Sequence, residues 1–151
     1  MAHIIDCDAD PHLPKGWSIE SHNRQGKIVW SPEHVELYVP DAQLTGLTGF
    51  KLREELGIRP VFNACLLDYL LKSPELILPG WAEADTSVLF WGTIYSYKCK
   101  GSKKPCIRYL FSRLTPAPKT KELHRTYDWG YLWLGHRFVG EQAKTALRLG
   151  V

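Results

Sequence analysis

The stretch P-V-F-N-A-C-L-L-D-Y-L-L-K-S-P-E-L-I-L-P, residues 60–79, decides the fold that we expect. At about 100° per residue, its first part, 61–72, forms a helix that is apolar on nearly every side. Asp68 and Lys72 share the narrow polar stripe of this helix, and their i, i+4 spacing favours an ion pair. A helix with so little polar surface must be enclosed by other elements. We therefore expect residues 61–72 to form the central core helix, with Asn63 as its N-cap.

Length and composition are those of one soluble globular domain, residues 1–151. The chain is 44% hydrophobic and 23% charged, and it is long enough to bury a core without metal or disulfide bonds. The sequence has no apolar run near the roughly 18 residues that span a bilayer. The N-terminus carries no basic segment followed by a long apolar one, so we expect no signal peptide and a cytoplasmic location.

Charge is distributed unevenly along the chain. Residues 1–75 contain seven Lys/Arg and eleven Asp/Glu, a net charge of −4, whereas residues 76–151 contain twelve Lys/Arg and five Asp/Glu, a net charge of +7. This asymmetry indicates a basic surface in the second half. It is equally compatible with neutralisation by the acidic half, within the fold or across a homodimer.

Several segments alternate apolar and polar residues or are rich in β-branched and aromatic residues. Residues 17–22 and 27–30 predict a hairpin across 23–26, and residues 35–39 predict a half-buried strand. The strongest strand is expected at 87–97, with Gly92 marking a bulge or a close backbone approach. Antiparallel partners are predicted at 106–113 and 127–138, with a mobile surface loop at 115–125 between them.

Together these elements predict an α+β fold. We expect a twisted, mainly antiparallel sheet packed against the 61–72 helix as its one central helix. Small peripheral helices are expected at 50–56, ended by Gly57, and at 140–149. A further turn of helix is expected at 41–44.

A basic and aromatic hairpin carries the strongest functional signal. Base stacking on aromatic rings together with phosphate contacts from Lys and Arg is how sheets bind single strands. The candidate binding residues are Tyr95, Tyr97, Lys98, Lys100, Lys103, Lys104, Arg108, Tyr109 and Arg113. They predict a non-enzymatic binding or interaction module whose partner is a protein or a nucleic acid, the alternative being a single-stranded nucleic-acid binding protein. The octapeptide of RRM domains is missing, and the same pattern is compatible with core aromatics beside a soluble turn.

Enzymatic signatures are weak. The chain has no G-x-S-x-G elbow, P-loop or G-x-G-x-x-G motif. Asp6, Asp8 and Asp10 alternate, but they lack the Gly and Glu that an EF-hand loop requires. A metal-dependent hydrolase or nuclease using Asp6, Asp8 and His22 is the least favoured alternative. We assign no catalytic residue, metal or cofactor.

The four cysteines form no C-x-x-C pair, so neither a zinc ribbon nor a thioredoxin-like motif is supported. Cys65 on the core helix is expected to pack as a small hydrophobe. Cys99 and Cys106 flank the lysine-rich tip and are expected to lie opposite each other on adjacent strands, as free thiols in a reducing compartment.

Five short stretches of the sequence are similar to those of a known protein family: E-L-Y (36–38), L-R-E-E-L (52–56), P-V-F-N-A-C-L-L-D-Y-L-L (60–71), F-W-G-T-I-Y (90–95) and R-Y-L (108–110). The early I-D-C-D at 5–8 is similar too. The chain resembles a family of small uncharacterised bacterial proteins over residues 4–135. The resemblance implies one compact domain and supplies no activity, cofactor or site residue. The lysine-rich tip and residues 115–125 depart from the family's pattern.

Overall fold

The computed structural model describes residues 2–83 and 85–149, and in it 43% of residues are strand and 19% are helix. The predicted α+β fold, a sheet packed against one central helix, is therefore wrong. Within the described residues the architecture is a curled seven-stranded sheet that forms a half-barrel, accompanied by three short α-helices.

The strands, in chain order, are β1 (Ile4–Asp6), β2 (Trp17–His22), β3 (Lys27–Val29), β4 (Val35–Tyr38), β5 (Leu47–Thr48), β6 (Ser87–Leu89), β7 (Thr93–Cys99), β8 (Ser102–Pro116), β9 (Leu123–Trp133), β10 (Arg137–Phe138) and β11 (Ala143–Arg148). The helices are α1 (Asp41–Thr45), α2 (Gly49–Leu56) and α3 (Ala64–Lys72), with short 3₁₀ turns at Pro32–His34 and Pro74–Leu76.

The main sheet has the order β2-β7-β8-β6-β11-β4, and β9 lies on the other edge of β8. The long strand β8 organises it, because β7 and β6 follow each other along one of its edges while β9 pairs along the opposite edge. Strand β11 is parallel to β6 and antiparallel to β4. Two small antiparallel pairs, β1-β3 and β5-β10, flank the main sheet.

Helix α3 covers one face of the main sheet, which we call the α3 side. The helix begins three residues later than predicted, because Val61 bridges Leu147 and the backbone N–H of Phe62 donates to Ala146 of β11. Asn63 is the predicted N-cap, since its side-chain oxygen accepts from the Cys65 backbone N–H. The helix and its neighbours bury an apolar core that includes Leu66, Leu67, Leu70, Val88, Phe90 and Leu110.

The opposite face, which we call the α2 side, is covered by α2 together with β5 and β10. The predicted helix at 50–56 is confirmed, with Gly57 following it. Leu52 and Leu56 on its inner face pack in a second core with Leu89, Trp91, Ile94, Ile107 and Phe138. The main sheet is therefore apolar on both faces where the helices lie.

The strongest predicted strand, 87–97, is interrupted. β6 ends at Leu89 and β7 begins at Thr93, and Phe90 and Trp91 between them are buried. A Cβ on Gly92 would lie 2.7 Å from the backbone N and Cα of Asn63, so the predicted close approach is confirmed. The interruption lets the start of α3 lie directly against the sheet.

The predicted helix at 140–149 is wrong, because this segment contains β11. Thr145, Ala146 and Leu147 are consecutive buried residues, as expected for a strand with both faces covered. Alanine and leucine in such a continuous run also match one face of a short helix, so periodicity alone could not separate the two.

Two further pairings differ from expectation. Residues 17–22 and 27–30 do form strands, but β2 pairs with β7 and β3 pairs with β1, so they are not a hairpin. Residues 115–125 are not a mobile loop throughout, since β8 extends to Pro116 and β9 begins at Leu123.

None of the helices within 2–83 and 85–149 is both long and apolar enough to cross a membrane.

Candidate functional site

The lysine-rich tip is a tight β7–β8 hairpin, as predicted. Cys99 pairs with Ser102, and Lys100 and Gly101 between them have φ of 51° and 83°, as in the two-residue turns that join antiparallel strands. Lys98 lies directly opposite Lys103 in the register. Neither these two lysines nor Lys100 forms an ion pair among the residues described.

Aromatic side chains form a cluster beside this tip, on the α3 side. Trp17 and Tyr97 stack with ring centroids 5.8 Å apart, and Tyr131 meets their edges at 4.9 Å and 5.3 Å. The ammonium of Lys104 lies 4.3 Å from the ring centroid of Trp133. We call Trp17, Tyr97, Tyr131, Trp133 and Lys104 the aromatic platform. Tyr131 and Trp133 remain 46% and 41% exposed.

A depression of about 160 Å³ joins the lysine tip to this platform. Trp17 and Tyr97 line it together with Lys98 and Lys103. It lies where β2 begins, at the edge of the main sheet. The structure thus brings together four lysines and four aromatic rings at one end of the main sheet.

The remaining predicted binding residues lie elsewhere. Tyr95 and Arg108 are 0% and 1% exposed, so neither contributes to an open surface. Tyr109 lies on the α2 side and its ring covers Gly130. Arg113 forms an exposed ion pair with Asp128 at 3.1 Å.

A buried polar network ties the N-terminal segment to α3 and to the sheet. The Nη1 of Arg108 donates to Asp68 at 2.9 Å and to the Tyr95 hydroxyl at 3.3 Å. The Tyr95 hydroxyl donates to the His12 carbonyl, and the His12 backbone N–H donates to the other carboxylate oxygen of Asp68. Burial raises the pKa of Tyr95 to about 12, against the lowering effect of Arg108. The predicted Asp68–Lys72 ion pair is wrong, since Asp68 pairs with Arg108 instead.

Next to this network lies a cavity of about 700 Å³. The guanidinium of Arg108 lies 4.3 Å from the ring centroid of Trp129, and both residues line the cavity. Asp68 and Lys72, one helical turn apart on α3, line it too. The cavity adjoins the aromatic platform, because Trp129 in its wall meets Trp17 edge-on at 5.9 Å.

A cysteine and a histidine also meet at the start of α3. The Sγ of Cys65 lies 3.8 Å from Nε2 of His22, a spacing that resembles a nucleophile and its base. The Ala9 carbonyl can only accept, so Nε2 of His22 carries the ring proton and donates it there. Nδ1 then accepts from the Thr93 hydroxyl, which itself accepts from the Ala64 N–H. In this tautomer Nε2 holds a proton and cannot accept one from the thiol.

The pKa shifts of this pair agree with that assignment. Burial raises the pKa of the Cys65 thiol to about 11 and lowers the pKa of His22. Both groups are therefore held neutral at physiological pH, whereas a nucleophilic thiolate needs a lowered pKa. The contact between Cys65 and His22 is therefore part of the packed core, in agreement with the expectation that Cys65 packs as a small hydrophobe.

The acidic residues of the metal-site alternative have local partners. Asp6 accepts the Asp8 N–H, and Asp8 accepts the Gly26 N–H. Both ring nitrogens of His22 are engaged as described above. No group of three or more His, Cys, Asp or Glu side chains suited to a metal ion occurs within residues 2–83 and 85–149.

Cys99 and Cys106 do not lie opposite each other. Cys99 pairs with Ser102, whereas Cys106 pairs with Tyr95, which lies four residues before Cys99 in β7. At about 3.4 Å per residue this separation is too large for a disulfide. All four cysteines are free thiols, and burial raises the pKa of Cys7 and of Cys106 to about 12.

Sequence reasoning did not find Trp17 or His12 as site residues. Both depend on pairing that no local pattern encodes, since Trp17 reaches Tyr97 only because β2 joins the edge of β7. The cluster of Trp and Tyr at 127–138 was the available signal for Tyr131 and Trp133. Alternation along β9 then places both rings on the same face.

The chain matches no family model, no curated protein and no solved structure. The resemblance to small uncharacterised bacterial proteins therefore stays a prediction.

Proposed function

We propose that this chain is a non-enzymatic binding module whose ligand is a single-stranded nucleic acid. The observation that carries the proposal is that four lysines, Lys98, Lys100, Lys103 and Lys104, lie at the end of the main sheet that also carries the exposed rings of the aromatic platform. Rings supply stacking surfaces for bases, and lysines supply contacts to phosphates.

Unfavourable electrostatics at the tip support an anionic ligand. Like charges directly opposite each other on neighbouring strands destabilise a sheet, and Lys98 faces Lys103 in this way. Lys100 adds a third charge in the turn itself, at a position with positive φ where glycine or asparagine is favoured. A phosphate chain would relieve this repulsion.

Exposed aromatic rings favour a nucleic acid over a purely acidic protein surface. Tyr131 and Trp133 leave nearly half of their surfaces in water within one cluster of aromatic rings, and exposed apolar patches of this kind mark interaction sites. Stacking of a base on such a ring is worth about 1–3 kcal/mol and tolerates any base. An acidic peptide would use the lysines but would gain little from the rings.

Binding of fluorescent single-stranded RNA and DNA, followed by anisotropy, tests the proposal. We expect affinity to fall steeply between about 50 mM and 200 mM salt, because phosphate contacts release counterions. The double variant Lys98→Glu/Lys103→Glu keeps a like-charge pair in the hairpin but reverses its sign. Its stability toward unfolding should therefore match that of the wild type. The variant should lower affinity by about tenfold or more and reduce the salt slope by about two.

Matched variants separate this surface from charge in general. Lys119→Glu/Lys121→Glu reverses two exposed lysines in the β8–β9 turn and should have a much smaller effect. Tyr131→Ala should lower affinity by about tenfold through lost stacking. Absence of binding at low salt would overturn the proposal. Binding that is lost in the Lys98/Lys103 variant but unchanged by Tyr131→Ala, and matched by polyglutamate, would assign the surface to an acidic protein partner instead.

A further inference from the structure

We propose that the cavity beside α3 receives one guanine base of the bound strand, an inference that rests on the proposed function. Continuity is the first argument. Trp129 lines the cavity and meets Trp17 of the aromatic platform at 5.9 Å. A strand whose bases stack on the platform therefore has its next nucleotide at the mouth of the cavity.

The size and walls of the cavity suit a planar heteroaromatic ring. Its volume of about 700 Å³ lies within the range of small-molecule sites and leaves room for a base with its sugar. The rings of Trp129, Tyr69 and His12 line it together with apolar Ile5 and Leu71. Flat, apolar walls with a few polar groups are what a splayed-out base requires.

Asp6, Asp10 and Asp68 all line the cavity, and the acceptor that we assign to the base is the carboxylate of Asp68, whose side chain is 21% exposed. An ionised carboxylate has about four lone-pair sites. Arg108 uses one site on Oδ1, and the His12 backbone N–H uses one site on Oδ2. Each oxygen therefore keeps one site, and the two protein donors hold the carboxylate in a fixed orientation.

Donors lie beside this acceptor. Lys72, one turn after Asp68 on the same face of α3, lines the cavity and has no ion-pair partner within the described residues. Arg108 also lines the cavity, and its buried Nε–H has no hydrogen-bond partner in the part of the chain described. An unpartnered donor on a buried guanidinium is costly, which favours a ligand that brings an acceptor.

Guanine is the base that matches this order of groups. Its Watson–Crick edge carries two neighbouring donors, N1–H and the N2 amino group, which fit the two free sites of a carboxylate. The O6 acceptor beside them fits a cationic donor such as Lys72. Adenine and cytosine each offer one donor group next to an acceptor, and uracil offers one donor between two acceptors, so none of them satisfies both carboxylate oxygens.

Single-stranded oligonucleotides that are identical except for one central base test the inference. Bidentate recognition of the base by Asp68 should make the guanine-containing strand bind about tenfold more tightly than the strands with adenine, cytosine or uracil. Ala9 lines the cavity with an exposed side chain, so Ala9→Trp should fill the cavity and remove the difference in affinity between the guanine-containing strand and the other three. Ala42→Trp, on the exposed face of α1, is the matched control and should keep the preference.

Lys72→Gln provides a second measurement that does not disturb the buried Asp68–Arg108 pair. It should reduce the guanine preference severalfold, with normal thermal unfolding as the check on the fold. Equal affinity for all four strands, or a preference that survives Ala9→Trp, would overturn the inference and leave the proposed function standing. Absence of binding to every strand would overturn both.

Discussion

The imidazole of His22 lies in a polar niche at the start of α3. Its Nδ1 is 2.8 Å from the Thr93 hydroxyl, and its Nε2 is 3.1 Å from the carbonyl oxygen of Ala9. Burial is the largest influence on this residue and lowers its pKa from the ordinary 6.5. Arg24 acts in the same direction, whereas the Ala9 hydrogen bond and Asp10 and Asp8 oppose it.

The lowered pKa of His22 makes the stability of the fold depend on pH. Well above pH 6.5, His22 is neutral in both the folded and the unfolded chain, so its contribution is fully present. As the pH falls below that value, the unfolded chain binds a proton first, and the free energy of unfolding decreases until the lower pKa of the folded state is passed. Urea unfolding from about pH 8 to about pH 5 measures this slope.

His22→Gln provides the comparison for that slope. Glutamine does not titrate, so the difference in unfolding free energy between wild type and variant should shrink as the pH falls. Carboxylates titrate in both proteins and cancel in the difference. A difference that stays constant or grows toward low pH would show that His22 is not held neutral by the fold.

At the scale of secondary-structure elements, short stretches of sequence were sufficient to predict several helix ends and turns. The Asn63 cap, the helix ended by Gly57 and the lysine-rich turn each depend on residues close in sequence, and the structure has them all. Partners were harder to predict. Asp68 has a suitable lysine four residues later, yet its partner is Arg108, forty residues away. Nothing in the helix itself encodes that choice.

A substitution at Gly92 tests how closely the start of α3 must approach the main sheet. Gly92→Ala would place a Cβ 2.7 Å from the backbone of Asn63, and a backbone atom of a capped helix cannot move aside at low cost. We expect the substitution to destabilise the fold by about 3 kcal/mol. Gly16→Ala is the control, since nothing lies within 4 Å of its added Cβ and only its φ of 84° is unfavourable. That strain costs about 1 kcal/mol, so equal losses of unfolding free energy in urea would contradict the close approach.

At the scale of the whole molecule, the main sheet is shared by two cores, and this is why the fold class was mispredicted. A strand that is buried on both faces carries a continuous apolar run, and such a run is also compatible with a helix. The sequence of β11 alone therefore does not distinguish the two, and its strand conformation depends on pairing with β6 and β4. The aromatic and basic residues of the tip could be predicted because they lie close together in sequence. The cavity could not be predicted, because its wall combines the N-terminal segment, α3, β8 and β9.

Because both cores pack on one sheet, we expect residues 1–151 to unfold as a single cooperative unit. Leu70 on the α3 side and Leu52 on the α2 side are both fully buried. Leu70→Ala and Leu52→Ala should each lower the free energy of unfolding by about 2–5 kcal/mol.

Coincident transitions are the measurement that checks this. Tryptophan fluorescence reports on Trp30 and Trp81 in one core and on Trp91 in the other, whereas far-ultraviolet circular dichroism reports on the whole backbone. In urea both signals should change together in the wild type and in each variant. If Leu52→Ala separated an early fluorescence change from a later loss of strand signal, the α2 side would unfold by itself and the shared sheet would not couple the two cores.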